Sequence, residues 1–251
     1  MVILGGGESG VGAALLAKQH GYEVFLSDGG SLKDMYKQEL EANAISFEEA
    51  GHTEQLILNA DEIVKSPGIP EKNELVKKIR AKAIPVISEI ELAYRYKGNS
   101  KIVAITGSNG KTTTTSLLYH ICQHAGLDAA LVGNIGYSFA KQVAENPKPL
   151  YIAEISSFQL DDIQTFRPDV AILTNITEDH LDRYDYKFEH YIASKFRIAM
   201  NQTKDDFFIY CADDPVTMQY MNQYAIHSNP LPFTMQQQPS NGGFIKNGQL
   251  I

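Results

Sequence analysis

The 251-residue chain is short of the features that mark disulfide-stapled, membrane-spanning or nucleic-acid-coating proteins. It has two cysteines, Cys122 and Cys211, each inside an apolar run. Reduced, buried thiols of a cytosolic protein account for them better than a disulfide does. There is no Lys/Arg-rich run, and the net charge is −8, against the basic excess that nucleic-acid surfaces carry. No apolar stretch approaches the roughly 20 residues that cross a bilayer, and no secretory leader precedes the first strand. No internal repeat is visible. A cytoplasmic protein with neither a nucleic-acid nor a membrane partner is the expectation. What the chain does have is a hydrophobic content of 43% and a charged content of 21%, enough to build a proper core in one large domain or two ordinary ones.

Strands alternate with helices throughout, which predicts the α/β class with open, mostly parallel sheets. In the first half, strands are expected at 2–4, 22–27, 45–47, 61–65 and in "IPVIS", with helices at 9–20, 32–42, 72–82 and 88–96. The polar joint "KGNS" at 97–100 then sets a boundary between a domain 1–97 and a domain 98–251. The second half predicts strands 101–106, 151–155, 170–176 and 207–211, with helices 112–125, 188–201 and 215–225. "SNPLPFTMQQQPSNGG" (228–243) is polar and Pro-rich and reads as a loop. "FIKNGQLI" places Asn247-Gly248 between apolar pairs, a hairpin signal. A chain that stops inside the second arm of a hairpin is expected to be a fragment, its second domain incomplete at the C-terminal end. The strand already under way at Met1 suggests a few trimmed leading residues.

Two glycine-rich turns carry chemistry. Gly5, Gly7 and Gly10 follow the first strand as G-x-G-x-x-G, with Asp28 roughly twenty residues on, the spacing of a dinucleotide cradle. A lone motif of this kind is weak evidence for NAD. The second turn, "ITGSNGKTTTT", follows a buried strand and opens a helix. Gly107 and Gly110 let the backbone approach oxygen atoms, amides at the helix start face an anion, Lys111 reaches outer phosphates and the Thr112 hydroxyl faces Mg²⁺. The spacing G-x-x-G-K-T is two residues shorter between glycines than the usual triphosphate loop.

Three further features converge on that loop. Glu154 interrupts a buried strand, which is costly unless the carboxylate is paired or binds a metal; a self-solvating acid at a strand end is the plain alternative. "LTNITEDHLDRY" ends another strand with Glu178, Asp179, His180 and Asp182, at the sheet edge where ligands bind. His180 suits a metal, although a structural or capping cluster explains it as well. On the helix "FEHYIASKFRIAM", Phe188, Tyr191, Ile192, Lys195 and Ala199 share one face, so Lys195 stands in the apolar stripe. It is either a lysine snorkelling to water or one chemically altered.

The motifs "TGSNGKTTT", "GNIG", "EISSFQL", "NITEDHLDRY" and "SKFRI" occur here in the order in which they occur in the Mur ligases, and the whole chain resembles that family. "KSPGIP" and "PVISEIELAY" are similar to its D-glutamate-adding members. The resemblance implies a Rossmann-like N-terminal domain followed by a P-loop NTPase-type central domain. It implies an ATP-dependent amide-bond ligase of peptidoglycan synthesis in the bacterial cytoplasm. Its partners would be UDP-N-acetylmuramoyl-L-alanine, D-glutamate, ATP and a C-terminal domain of the same protein, without which this chain would be inactive alone. The first cradle would hold UDP, with Gly7, Glu8, Ser9, Gly10, Asp28, Ser66, Pro67 and Gly68 facing it, while Asn134 and Gln159 orient the muramoyl-alanine end. Gly107, Ser108, Asn109, Gly110, Lys111, Thr112 and Thr113 would hold ATP. Lys111, Glu154, His180 and Lys195 would be catalytic, with two Mg²⁺ held by Thr112 and Glu154 and by His180 and a carbamylated Lys195. Asp28 is followed by Gly29 and Gly30, so side-chain contacts expected just after the acid must be absent or come from elsewhere. Another amino-acid specificity within the family, an NAD-dependent oxidoreductase, or a non-catalytic nucleotide-binding module are the competing readings.

Overall fold

The alternation of strands and helices resolves, in a computed structural model, into two sheets that are parallel except at one terminal hairpin. The structure describes residues 1–236, 238–246 and 248–251, apart from the side chain of Leu250. Two compact units share the chain. The first comprises Met1–Asn99, Gly136–Lys148 and Asp161–Phe166; the second comprises Ser100–Ile135, Pro149–Leu160 and Arg167–Ile251.

The first unit runs β1 (Val2–Leu4), α1 (Glu8–Gln19), β2 (Phe25–Ser27), α2 (Asp34–Ala42), β3 (Ser46–Glu48), α3 (Glu54–Ile57), β4 (Ile63–Lys65), α4 (Glu74–Ala81), β5 (Val86–Ile87) and α5 (Glu89–Tyr96). Its sheet has the order β3-β2-β1-β4-β5, every pairing parallel. The order reverses beside β1, and such switch points open crevices at the carboxyl ends of strands. Short apolar strands are buried on both faces, as parallel sheets require: Val2, Leu4, Ile63 and Val86 pack with Ile57, Leu75 and Ile79 in one cluster. Helix α4 starts where Asn73 Oδ1 accepts the Leu75 amide at 2.9 Å, a side-chain N-cap.

The second unit runs β6 (Lys101–Thr106), α6 (Lys111–His124), β7 (Ala129–Gly133), β8 (Leu150–Glu154), α8 (Ser157–Leu160), β9 (Val170–Leu173), α9 (Phe188–Phe196), β10 (Phe207–Cys211), α10 (Pro215–Tyr220), β11 (Asn229–Thr234), β12 (Gly243–Lys246) and β13 (Gln249–Leu250). Helix α7 (Phe139–Glu145) lies between β7 and β8 in the chain and belongs to the first unit. The strand order is β13-β12-β11-β10-β9-β6-β8-β7. Cys122 of α6 packs with Ile105, Ala129 and Ile152 beneath the sheet; Cys211 is half-buried, and both thiols are free.

The elements depart from expectation in a few places. The segment 228–243 is not all loop: Asn229–Thr234 is a parallel strand beside β10 despite Pro230 and Pro232. The Asn229 amide donates to Asp206 O at 2.9 Å and Phe233 O accepts from the Ala212 amide at 2.9 Å. The odd-numbered residues thus face β10, and the two prolines turn their missing N–H groups away from that ladder. β7 also lies outside the expected elements. The helix foreseen at 188–201 ends at Phe196 and continues as a 3₁₀ turn over Arg197–Ala199. The foreseen hairpin is present, with Ile245 opposite Leu250 and Lys246 opposite Gln249; Asn247 lies outside the described residues.

Candidate active site

Thr106 closes β6, and four residues carry the chain to Lys111 at the head of α6. Gly107 has φ +148°, and a Cβ there would lie 1.9 Å from Thr174 Oγ1, so the turn needs glycine. The loop is stapled to the segment leaving β9. The Ser108 amide donates to Asn175 O at 2.9 Å and the Asn109 amide to Asn175 Oδ1 at 3.0 Å. Thr174 Oγ1 and Asn175 Nδ2 donate to Asn109 O at 2.7 and 3.0 Å. Ser108 Oγ donates to Thr177 O at 2.9 Å. Gly110, at φ +81°, has no side chain to cap α6, so the helix opens toward whatever anion the loop receives. Lys111 folds back over the cradle, its Nζ donating to Gly107 O at 2.8 Å and Ser108 O at 2.9 Å. Thr113 is exposed.

Glu154 ends β8, registered with Ile105 of β6 and Gly133 of β7. It is 1% exposed. One carboxylate oxygen accepts from Thr112 Oγ1 at 2.7 Å and the other from Asn134 Nδ2 at 2.7 Å. A buried carboxylate held by neutral donors at the mouth of an anion cradle keeps lone pairs for a hard cation. Thr112 and Glu154 therefore fit Mg²⁺, which takes few protein ligands and completes its shell with phosphate oxygens and water. Among the described residues no cluster of three or more His, Cys, Asp or Glu stands ready for a metal.

Lys195 is also 1% exposed. Its Nζ donates to Gly107 O at 2.8 Å and lies 5.0 Å from the centre of the Tyr191 ring. This is not snorkelling: the amine reaches inward, to the first residue of the phosphate loop. His180 has φ 51° and an exposed side chain, its ring 5.1 Å from that of Phe158 and its Nε2 3.4 Å from Asp179. Among the described residues it makes no hydrogen bond to Thr112, Glu154 or Lys195. Gln159 Oε1 accepts from the Ser156 amide and hydroxyl at 2.9 and 3.0 Å, which commits its carbonyl to its own turn.

In the first unit, a Cβ at Gly10 would fall 1.8 Å from Gly5 O, so the first turn of α1 can pack against the end of β1 only with glycine there. A cleft of about 270 Å³ opens at the carboxyl ends of β1, β2 and β4, and its lining includes Gly5, Gly7, Asp28, His52, Ser66 and Asn73. Asp28 accepts from the amides of Gly6 and, at 2.7 Å, Gly30. Its carboxylate braces the glycine turn as well as facing the cleft. Gly68 donates its amide to Ser66 Oγ at 3.4 Å in the turn that contains Pro67. Glu8 turns elsewhere, accepting from the Ser138 amide at 3.1 Å. Ser9 is half-buried and Gly10 buried within α1.

A family model described as the Mur ligase middle domain matches residues 105–241, and one described as the MurD N-terminal domain matches residues 1–75. The chain belongs to the Mur ligase family. This Mur ligase chain is 51% identical over 251 residues to a UDP-N-acetylmuramoylalanine–D-glutamate ligase of Christiangramia forsetii, covering 100% of this chain and 56% of that protein. It is 51% identical over 250 residues to a protein of the same name from Bacteroides thetaiotaomicron, again covering 100% of this chain and 56% of the relative. The chain spans about half the length of the curated relatives it matches. Among solved structures, the UDP-N-acetylmuramate:L-alanyl-gamma-D-glutamyl-meso-diaminopimelate ligase from Neisseria meningitides shares its fold. It matches with a TM-score of 0.64 at 20% identity, over 99% of this chain and 84% of that one. Sequence reasoning on the Mur ligase chain missed Thr174, Asn175 and Thr177, which hold the phosphate loop. Asn175 and Thr177 lie in the motif "NITEDHLDRY", whose acids and histidine drew the reading instead. It missed His52 altogether.

Proposed function

We propose that the protein containing this chain joins D-glutamate to UDP-N-acetylmuramoyl-L-alanine at the expense of ATP, in the bacterial cytoplasm, for peptidoglycan synthesis. The observation that carries this reading is 51% identity over the full chain to relatives bearing that name. The Thr112–Glu154 pair beside the phosphate loop supports it.

In this reading the γ-phosphoryl group of ATP passes to the alanyl carboxylate, releasing ADP and forming an acyl phosphate. The D-glutamate amine then attacks the acyl carbon, the bond to the phosphate oxygen breaks, and the amine proton leaves to solvent. ATP and a carboxylate repel each other, so catalysis is chiefly positioning and charge neutralisation. The loop from Gly107 to Thr113 holds the polyphosphate, and Lys111 turns from its carbonyl partners to the β and γ oxygens. Thr112 and Glu154 hold Mg²⁺, which neutralises phosphate charge when bound. His180 and a carbamylated Lys195 belong to the proposal as a second Mg²⁺ set, with no step assigned to them. Gly7, Glu8, Ser9 and Gly10 take the UDP diphosphate at the start of α1, and Asp28 and the turn Ser66, Pro67, Gly68 take the nucleoside side. Asn134 and Gln159 orient the muramoyl-alanine end. This chain by itself binds the UDP-sugar and forms no amide.

The test is phosphate release from ATP by the whole protein, with UDP-N-acetylmuramoyl-L-alanine and each candidate amino acid. Release that depends on D-glutamate supports the assignment. Release that depends on a different amino acid, or no release, overturns it.

A further inference from the structure

The chain offers no side chain directly after Asp28, where Gly29 and Gly30 stand. The space is filled from the turn between β3 and α3. A Cβ at Gly29 would lie 3.1 Å from His52 Nε2, so the glycine leaves room for the imidazole in the cleft lining. The ring's other nitrogen, Nδ1, is 2.7 Å from Ser27 Oγ, and the same Oγ is 2.7 Å from Glu48 Oε1.

That geometry fixes the tautomer. A hydroxyl has one proton to give. Burial pushes the Glu48 carboxyl up, but hydrogen bonds from Thr53 and Ser27 outweigh it and hold the group below the usual carboxylate range. Glu48 is therefore ionised near neutrality and can only accept. Thr53 supplies both its amide and its hydroxyl to Glu48, at 2.7 and 2.6 Å. Ser27 gives its proton to Glu48, so its oxygen must accept from His52 Nδ1–H. Neutral His52 is thereby left with its lone pair on Nε2.

Topology says what that lone pair would meet. In a fold of this kind the phosphates sit at the start of the helix after β1, and the acid that ends β2 faces the ribose. His52 follows β3, one strand farther out in the order β3-β2-β1. It lines the cleft next to Asp28 and Gly29, on the side to which the base of a nucleotide whose ribose meets Asp28 would extend. Uracil presents an imide N3–H, a donor; cytosine presents a lone pair at the same position. We infer that His52 Nε2 accepts a hydrogen bond from uracil N3–H and is a specificity-determining residue of the cleft, aligned by Ser27 and Glu48. The inference rests on the cleft being the UDP site.

Calorimetric titration of the whole protein with UDP, CDP and 3-methyl-UDP, in the wild type and in His52→Ala, tests it. The exposed position of His52 keeps the variant folded, which circular dichroism checks. The wild type is expected to bind UDP about tenfold more tightly than CDP or 3-methyl-UDP, about one hydrogen bond's worth. In His52→Ala that preference collapses toward unity. A preference that survives in His52→Ala overturns the role of His52. A wild type that binds UDP and 3-methyl-UDP equally well overturns the N3–H contact. A wild type that binds no UDP but binds NAD overturns this inference together with the reading of the cleft as a UDP site, and so separates the two failures.

Discussion

At the scale of single residues, two buried charged groups frame the phosphate loop. Glu154 and Lys195 were both legible in the sequence as charges inside apolar patterns, one in a strand and one on a helix stripe. Local pattern does not say what they touch; only the family resemblance put Thr112 and Glu154 together. Thr112 and Asn134 meet Glu154 because β6, β8 and β7 are neighbours, and no local pattern fixes strand order. Likewise, Lys195 reaches Gly107 O only because α9 packs against the loop after β6. Glu154→Gln in the whole protein keeps the Thr112 and Asn134 neighbours but removes the anion that would attract Mg²⁺. For the proposed ligase reaction, kcat/KM is expected to fall at least about 100-fold, measured by phosphate release across a Mg²⁺ series. The proposed Lys195 carbamate has its own test. Keeping a free lysine neutral at pH 7 costs about 4.6 kcal/mol, from a reference pKa about 3.4 units higher. CO₂ addition is expected only if burial and the loop meet that cost. With ¹³C-bicarbonate, the wild type should show a carbamate carbon resonance that is missing in Lys195→Arg; its absence from both refutes the modification.

At the scale of elements, periodicity found the strands and helices that bury one face and missed those held by specific contacts. β11 carries two prolines and reads as a loop, yet it joins β10 through its odd-numbered residues and pairs with β12 at its end. The phosphate loop was read from its glycines, whereas Thr174 to Thr177, which set its shape, stand at the start of "LTNITEDHLDRY", a stretch read for its acids and histidine and not for its contacts with the loop. The stretch "PVISEIELAY" belongs to the same class. Its Glu91 is fully buried, and its carboxylate accepts the amides of Gln164, Thr165 and Phe166 at 2.9, 2.9 and 2.8 Å and Thr165 Oγ1 at 2.6 Å. One helix residue thereby fixes the segment Asp161–Phe166 into the first unit. In Glu91→Gln an amide donor faces a set of donors. Charge-assisted bonds at a buried site are lost, and unfolding free energy is expected to drop by about 2–4 kcal/mol. Urea denaturation checks this, and a change within error of zero would show that the segment is held by packing instead.

At the scale of the molecule, the first unit is assembled from three stretches of chain, which "KGNS" at 97–100 did not reveal. A linker can be read from composition; a later return of the chain is a matter of tertiary contacts. Glu89 sits at the return made by α7. Its Oε1 accepts from Ser138 Oγ at 2.6 Å and the Ala140 amide at 2.6 Å. Burial pushes its carboxyl up to about 7 from 4.5, outweighing those two hydrogen bonds, and the charge of Glu8 adds to the rise. Between those two values the folded chain holds a proton that the unfolded chain has released. Stability is therefore greatest at the acid end of that window and declines as pH rises through it, by about 3 kcal/mol in all. Glu91 works in another window. Burial pushes its carboxyl up, but the bonds from residues 164–166 outweigh this and lower it, so its contribution is lost only as pH falls below the ordinary carboxylate range. Glu89→Gln keeps an acceptor for Ser138 and Ala140 and has no proton to lose. Urea midpoints at pH 5 and pH 8 should converge in the variant relative to the wild type. Equal pH slopes in the two proteins would place the ionisation of Glu89 in the ordinary range and remove it as the origin of any loss of stability toward alkaline pH.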